Sequence, residues 1–302
     1  MPQLRFSRSL IGSHFGEPLL KIISRAFLKI SVLLFLCFLN VGHCTGLNEA
    51  KEMVKLVATK LQATEPSHED EKRIFEDFSD QLESFNLDDD ETTALLRYMR
   101  NAGYESIIYT RYYAYEMRAE KLMVRKIIAG ESDTPHGIHE SDALYKLLLS
   151  EMSLIDGVKG KRILFIGSGA LPYSALAAQR MSGVTVAMLD SDKEALELSE
   201  QYIEKIGLKD KFEFLYGDAQ SQDVSRYDLV WVAAMVKPKQ AVLDALHKTL
   251  RSDAVLLVRQ AQGVGQLLYG DFENFDNQGF RIEKQVINQL AFPVCGQLLK
   301  RL

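Results

Sequence analysis

The sequence predicts an α/β fold in which an all-helical part precedes an open, mostly parallel sheet. From Lys161 onward, helical stretches separate the short apolar runs "RILFIG", "VTVAMLD", "KFEFLYGD", "YDLVWVAA" and "AVLLVRQ". Runs that are hydrophobic on both faces are typical of parallel strands covered by helices on both sides, as in a Rossmann-type fold. The last two runs, "FRIEKQVI" and "CGQLLKRL", have no helix between them. They therefore predict a terminal antiparallel hairpin.

The part before the sheet is predicted to be helical almost throughout, from Asn48 to about Ser153. Ser67 is a suitable N-cap for one helix, and Gly103 can end the next with a left-handed residue. A third helix is expected from about Tyr112 to Ile128, and a fourth carries "ALYKLLLSEM". We therefore expect a separate all-helical domain.

Residues 1–45 resemble a targeting segment. Basic residues precede the apolar run "ISVLLFLCFL", and the small and polar residues "NVGHCTG" follow it. This order is typical of a secretory signal, and the run is shorter than the ~20 residues of a membrane span. An uncleaved anchor over residues 27–42 and a start codon assigned too far upstream are the alternatives. Beyond this segment we expect a helical domain over 46–155 and a Rossmann-type domain over 156–302.

Composition favours small-molecule partners. The chain has 302 residues, 47% of them hydrophobic, which is enough to give each of two domains a core. Its net charge of -5 argues against binding nucleic acid through phosphate neutralisation. Cys37 and Cys44 lie in the N-terminal segment, so only Cys295 remains and no cysteine-rich metal site is expected. His136 and His139 lie in a predicted loop, which favours surface histidines over a metal pair; no bound metal is expected.

A glycine-rich loop, "FIGSGALPYS", follows the first predicted strand. Gly167 and Gly169 permit a tight turn, and the next helix offers free amides to a carboxylate or phosphate. Pro172 stands where a dinucleotide loop has a third glycine, and it removes an amide that a pyrophosphate would use. The loop therefore predicts a ligand with one small anionic end. A tight turn without a ligand is the alternative.

Acidic residues end the next two predicted strands. Asp190 closes the second strand, where an acid commonly binds ribose hydroxyls. Asp218 follows the third strand and is suited either to an adenine amino group or to a turn with Gly217. Asp192 is explained as the N-cap of the following helix. With the glycine loop, these acids indicate an adenosine that carries a small charged end, and S-adenosylmethionine fits that description. The terminal hairpin likewise favours a methyltransferase-like fold over a dehydrogenase.

Three segments carry a family resemblance. "FIGSGALP", "VWVAAMV" and "LLVRQAQGVGQLLYGDF" resemble the corresponding parts of nicotianamine synthases and related bacterial metallophore synthases. The similarity runs from about Tyr104 to the C-terminus and is weak in the helical domain. The family transfers the 3-amino-3-carboxypropyl group of S-adenosylmethionine to an amine and releases methylthioadenosine. The resemblance implies a transferase that makes a metal-chelating metallophore. Its donor-binding residues would be Gly167, Ser168, Gly169, Asp190, Asp218 and Ala233.

Glu120 is the candidate general base. An attacking amine must be neutral, so a positioned carboxylate is expected to take its proton. At helical spacing Glu120 shares an apolar face with Tyr113 and Val124, where burial would raise its pKa. By resemblance, "MRAEK" matches the segment that carries the catalytic glutamate of the family. A salt bridge to the other domain is the alternative.

The resemblance also implies a second group of site residues. Tyr145 is the second candidate catalytic residue beside Glu120, because it corresponds to a substrate-site tyrosine of the family, although Leu144 is an alternative register. Tyr269 matches a family tyrosine that contacts donor or substrate, or else packs. Tyr113 either lines the cleft or fills the core, and core is the expected fate of an aromatic residue at helical spacing.

Arg259 ends the fifth predicted strand, where the family also has arginine. It is expected to pair either with a substrate carboxylate or with Asp253 or Glu273. Gly265 departs from the family, which commonly has arginine at this position. The departure removes a carboxylate contact on the acceptor side.

Two other functions stay open, a small-molecule methyltransferase and a noncatalytic protein that binds S-adenosylmethionine. The acceptor is expected to be an amine or amino acid: plant and archaeal relatives derive it from S-adenosylmethionine, and bacterial relatives use an amino acid such as histidine. The donor favours a cytoplasmic catalytic domain, whereas residues 1–45 indicate a signal or an anchor. The sequence does not decide whether the protein forms a homodimer.

Overall fold

In the described part of the chain, five helices precede the first strand of the sheet. The computed structural model describes residues 46–63, 67–85, 87–131, 143–155, 157, 160–270, 279–288 and 294–302. The predicted signal segment, His136 and His139 lie outside this range. The five helices are α1 (Leu47–Ala63), α2 (His68–Ser84), α3 (Asp89–Ala102), α4 (Tyr104–Ala129) and α5 (Ala143–Ser153).

The predicted helix ends are confirmed by their caps. Ser67 accepts a hydrogen bond from the Asp70 amide at the start of α2, and Asp88 forms a capping box with Glu91 at the start of α3. Gly103 ends α3 with a φ of 73°. These polar contacts satisfy backbone groups that a helix end would leave unpaired.

Helix α4 differs from its prediction, because it begins at Tyr104 rather than near Tyr112. Gly103 ends α3 and directly precedes α4, so no loop separates the two helices. The added turns are rich in β-branched and aromatic residues, which have modest helix propensity. Ile108 is fully buried among the other helices, and this packing outweighs the propensity. Helix α1 begins at Leu47, which agrees with the helical pattern predicted from Asn48.

Seven strands of the described chain form one mixed sheet in the order β3-β2-β1-β4-β5-β7-β6. They are β1 (Ile163–Ile166), β2 (Val186–Asp190), β3 (Phe212–Tyr216), β4 (Leu229–Val232), β5 (Val255–Ala261), β6 (Phe280–Asn288) and β7 (Val294–Arg301). Strands β1 to β5 are parallel, and β7 lies antiparallel between β5 and β6. The predicted α/β fold and terminal hairpin are confirmed.

Both faces of the central parallel strands β1, β2 and β4 are buried, as their apolar runs predict, whereas β3 at the edge is mostly half-buried. Ile163 and Phe165 of β1 pack on the side of α4 and α7 (Lys193–Lys205), whereas Leu164 and Ile166 pack on the side of α8 (Lys239–Thr249). Helix α6 (Tyr173–Ser182) follows β1, and the short α9 (Gln266–Tyr269) follows β5.

Helix α9 ties the helical part to the sheet. Leu267 and Leu268 are fully buried in the cluster formed by α1 to α4. Residues Gly46–Leu302 form one compact unit, and the predicted boundary between 155 and 156 stays a prediction. Within the described part of the chain, no helix is both long enough and apolar enough to cross a membrane.

Candidate active site

A cavity of about 540 Å³ lies at the carboxyl ends of the parallel strands. Strand β1 pairs with β2 on one side and β4 on the other, so the cavity occupies the switch point where such sheets bind ligands. Helix α4 covers it with Tyr109, Tyr113, Met117 and Glu120. Ten predicted site residues line it: Tyr113, Glu120, Gly167, Ser168, Gly169, Asp190, Asp218, Ala233, Arg259 and Tyr269. The side chain of Tyr145, on α5, lies outside the described residues.

Conformation and space both require glycine in the loop after β1. Gly167 has a φ of 77° and Gly169 a φ of 67°, a region that favours glycine. A Cβ atom on Gly167 would lie 2.5 Å from Val236 Cγ2, and one on Gly169 would lie 2.6 Å from Glu120 Oε2. The predicted base is therefore in direct contact with the predicted donor loop.

Glu120 has an environment suited to a proton acceptor. Burial raises the pKa of its carboxyl to about 7; the Glu116 charge adds to the rise, and hydrogen bonds from the Leu171 and Ala170 amides oppose it. Oε2 is shielded from solvent and has no hydrogen-bond partner among the described residues. A salt bridge was the alternative explanation of Glu120, but the neighbouring Lys121 forms the ion pairs instead, 2.6 Å from Asp192 and 2.8 Å from Glu194.

The amides of the glycine loop are directed at the protein's own carboxylates. The Gly169 amide donates to Asp190 Oδ2 at 2.8 Å, while the amides of Ala170 and Leu171 donate to Glu120. Helix α6 begins directly after Pro172. These loop amides precede the helix and face the protein's own carboxylates, so an anionic ligand would have to share them with Asp190 and Glu120.

Asp190 and Asp218, the two acids predicted at strand ends, each accept hydrogen bonds from backbone amides and also line the cavity. Asp190 accepts from the amides of Gly169 and Asp192, and burial raises its pKa. Asp218 accepts from the Gln220 amide in a turn, as its structural alternative predicts. A carboxylate can accept about four hydrogen bonds, so both acids keep capacity for a nucleoside. Asp192 caps α7, as predicted.

Arg259 is held by a carboxylate that the sequence did not indicate. Its guanidinium donates three hydrogen bonds to Glu151 of α5, at 2.7 to 3.1 Å, and one to Ser174 Oγ at 2.8 Å. Asp253, one expected partner, pairs with Arg251, and Glu273 lies outside the described residues. A lone acid in the apolar run "KLLLSEM" was the only local signal of Glu151.

Two tyrosines extend the cavity lining beyond Glu120. Tyr113 is 39% exposed, so the expectation that it fills the core is wrong. Tyr269 packs edge-on against Tyr112 with ring centres 5.9 Å apart, and burial raises its pKa. Hydrogen bonds connect Tyr112 to both Tyr269 and Glu116. Glu116 was missed, although it lies one helical turn before Glu120.

The comparisons with known proteins agree with the motifs. The model of the nicotianamine synthase protein family matches residues 143–289. The L-histidine 2-aminobutanoyltransferase of Pseudomonas aeruginosa is 30% identical over 151 residues, which are 45% of this chain and 56% of the relative. Nicotianamine synthase 3 of Arabidopsis thaliana is 28% identical over 137 residues, 42% of this chain and 43% of the relative. The chain thus spans about half the length of the curated relatives it matches.

Solved structures show the same fold. A Glu-to-Gln mutant of MtNAS in complex with S-adenosylmethionine has a TM-score of 0.73 and 22% identity, covering 83% of this chain and 97% of that one. MtNAS in complex with MTA and tNA has a TM-score of 0.72 and 23% identity, with the same coverage. Sequence and fold together confirm the resemblance to the nicotianamine synthase family that the three motifs predict.

Proposed function

We propose that this protein is a nicotianamine synthase-like transferase. It moves the 3-amino-3-carboxypropyl group of S-adenosylmethionine to an amine, releases methylthioadenosine and makes a metal-chelating metallophore. The contact between the Glu120 carboxylate and Gly169 carries the proposal, because it joins a proton acceptor to the loop expected to bind the donor. The comparisons support it through the names of the similar proteins.

The cavity fits an adenosine with a short charged tail. The two glycines let Val236 and Glu120 pack closely against the loop at the cavity, and Asp190 retains lone pairs for ribose hydroxyls. A volume of about 540 Å³ falls within the range of small-molecule sites. We assign donor binding to Gly167, Ser168, Gly169, Asp190, Asp218 and Ala233.

Glu120 performs the proton transfer in this proposal. The sulfonium of the donor makes three adjoining carbons electrophilic, and positioning selects the one that reacts. Amides hold one side of the Glu120 carboxylate, and Oε2 has no partner, so this oxygen is placed to hold the amine and take its proton. The new N–C bond forms as the C–S bond breaks, and the electron pair stays on the sulfur of methylthioadenosine.

Three tyrosines are assigned to the substrate side, and Arg259 lines the cavity with two of them. Tyr113 and Tyr269 line the cavity with the apolar and polar faces that an amino-acid acceptor needs, and Tyr145 is assigned by resemblance. Arg259 keeps its predicted place at the cavity, although Glu151 already occupies its guanidinium. The name L-histidine 2-aminobutanoyltransferase on a similar protein supports an amino acid as the acceptor.

Product analysis tests the proposal. The purified protein, incubated with S-adenosylmethionine and a panel of amines and amino acids that includes L-histidine, is expected to form methylthioadenosine. Glu120→Gln should retain donor binding and lose turnover by about 10²- to 10⁴-fold. Glu105→Gln, a change at the other end of α4, should leave turnover unchanged.

Two outcomes would contradict the proposed reaction. Formation of S-adenosylhomocysteine would indicate methyl transfer. Donor binding in calorimetry without any product across the panel would indicate a noncatalytic protein. Full turnover by Glu120→Gln would exclude Glu120 as the base.

The cellular location belongs to this proposal as well. We place the catalytic domain in the cytoplasm because the donor is made there, and N-terminal sequencing of the native protein tests whether residues 1–45 are retained. Membrane association through residues 27–42 and a homodimer stay predictions.

A further inference from the structure

Helix α4 is tied to both ends of helix α7, which packs on the sheet. Near the end of α4, the Lys205 ammonium of α7 donates to the Ile128 carbonyl at 3.1 Å. Closer to the cavity, Lys121 of α4 pairs with Asp192 and Glu194 at the start of α7. The described residues of α4 that line the cavity all precede Lys121 in the chain. Lys121 is therefore the point at which α4 leaves α7 and extends over the cavity.

The ion pairs of Lys121 are well defined and largely shielded. Its ammonium lies 2.6 Å from Asp192 Oδ2 and 2.8 Å from Glu194 Oε2, and its side chain is 16% exposed. The Asp192 carboxylate is itself held, because Oδ1 accepts from the Ala195 amide at 3.1 Å. Arg125 also pairs with Glu194, but both of those side chains are about half exposed, where ion pairs contribute little. Lys121 is thus the cation that fixes α4 at this point.

Backbone contacts connect the Lys121 ion pair to the site. The Asp192 amide donates to Asp190 Oδ1 at 2.9 Å, and Asp190 Oδ2 accepts from the Gly169 amide at 2.8 Å. Gly169 lies against the Glu120 carboxylate with no space for a side chain between them. Glu120 directly precedes Lys121 in the chain, so these contacts form a closed ring around the predicted donor loop.

The Glu120 carboxylate depends on where α4 lies. The amides of Ala170 and Leu171 donate to it, while Oε2 is shielded and has no hydrogen-bond partner among the described residues. A shift of α4 by about an ångström would lengthen these hydrogen bonds and move Oε2 away from a substrate, and misplacement on that scale can cost on the order of 10²-fold in rate.

We propose that Lys121 is a positioning residue, which anchors α4 to Asp192 and Glu194 and thereby sets the Glu120 carboxylate against the predicted donor loop. The inference rests on the proposed function, because that function makes Glu120 the proton acceptor. Lys121 is not among the described residues that line the cavity, so it acts through Glu120 and not on a substrate.

Hydrogen exchange tests the placement without requiring turnover. The amides of Ala170 and Leu171 are protected while they donate to Glu120. Lys121→Met should therefore speed their exchange about threefold or more. Lys121→Arg keeps the charge and should restore slow exchange. Lys193→Met, which removes an exposed ion pair of α7, is the matched control and should leave both amides unchanged.

Kinetics and calorimetry then separate positioning from donor binding. Lys121→Met should lower kcat about tenfold or more, because Glu120 is displaced. Its affinity for S-adenosylmethionine should change less than about threefold, since the loop and Asp190 remain. The stoichiometry of the same titration counts the folded sites. Lys121→Arg should recover most of kcat, and Lys193→Met should leave it unchanged.

Asp192→Asn removes the same ion pair from the other side. Asparagine is also a good N-cap, so α7 keeps its start. This variant should lose kcat and amide protection as Lys121→Met does, and it supplies the comparison if Lys121→Met fails to fold. The double variant should be no slower than either single variant, because both changes break one interaction.

The outcomes separate this inference from the proposed reaction. Unchanged exchange at Ala170 and Leu171 overturns the role of Lys121. Losses of kcat that add in the double variant, or that Lys121→Arg does not restore, also overturn it. A loss of donor affinity as large as the loss of kcat assigns the lysine to donor binding instead. Absence of methylthioadenosine formation by the wild type contradicts the proposed reaction alone, because hydrogen exchange does not depend on catalysis.

Discussion

Glu120 shows how one residue can be suited to chemistry and unfavourable for folding. Its carboxyl lies in a site where burial raises the pKa from 4.5 to about 7. The folded state therefore binds this proton more tightly than the unfolded chain does. The stability that the protonated group contributes is present below pH 4.5 and is lost as the pH rises through about 7.

We predict that Glu120→Gln stabilises the protein at pH 8 by up to about 3 kcal/mol, because glutamine cannot ionise. Near pH 4 the gain should vanish. Urea denaturation of both proteins at the two pH values measures the difference. An effect of the same size at both pH values would contradict the raised pKa.

Some site residues could be predicted from the local sequence pattern, whereas others are brought to the site only by contacts between distant parts of the chain. Glu120 could be predicted because helical spacing alone places it on an apolar face. Arg259 was predicted to be important, but its partner could not be, since Glu151 lies 108 positions away and only the packing of α5 on the sheet brings them together.

The loop between β1 and α6 is the element on which the site depends. Its glycine positions could be predicted because a strand, a Gly-x-Gly turn and a helix form a local pattern. Which group these amides contact could not be predicted, because Glu120 reaches them from a helix that is distant in the sequence. The terminal hairpin was equally predictable, but its order in the sheet was not: β7 pairs with β5, and β6 forms the edge.

We predict that Gly169→Ala and Gly183→Ala have different consequences although both residues have a similar φ, 67° and 69°. A Cβ atom on Gly183 meets nothing within 4 Å, so its cost should be the left-handed strain of about 1–2 kcal/mol. A Cβ atom on Gly169 also displaces Glu120, which should lower turnover on the order of 10²-fold. Denaturation and product formation measure the two effects. Equal turnover of both variants would show that the contact has no functional weight.

At the scale of the whole molecule, a buried ion pair joins the helical part to the sheet. Glu151 of α5 binds Arg259 of β5, and Gly296 of β7 lies opposite Arg259 in the sheet. A Cβ atom on Gly296 would lie 2.8 Å from Glu151 Cγ, so this glycine makes room for the acid. Three distant segments of the chain are thus held together beneath the cavity.

We predict that Glu151→Gln destabilises the protein by about 3–5 kcal/mol, because it leaves a buried guanidinium without its charge partner. The double variant Glu151→Leu with Arg259→Met should lose less stability than the single change. Glu105→Gln breaks a surface ion pair with Arg100 and should cost less than about 1 kcal/mol. Denaturant midpoints rank the variants, and a single change no worse than the surface control would contradict the role of the pair.

The contact between Glu120 and Gly169 has a consequence for how such a site can be altered. The acid fills the space that any side chain at position 169 would need, and the loop amides hold the acid in return. A substitution at one position therefore changes which residues the other can accept. Redesign toward a different reaction would have to replace both in one step, since each intermediate with a single replacement carries either a clash or an emptied pocket.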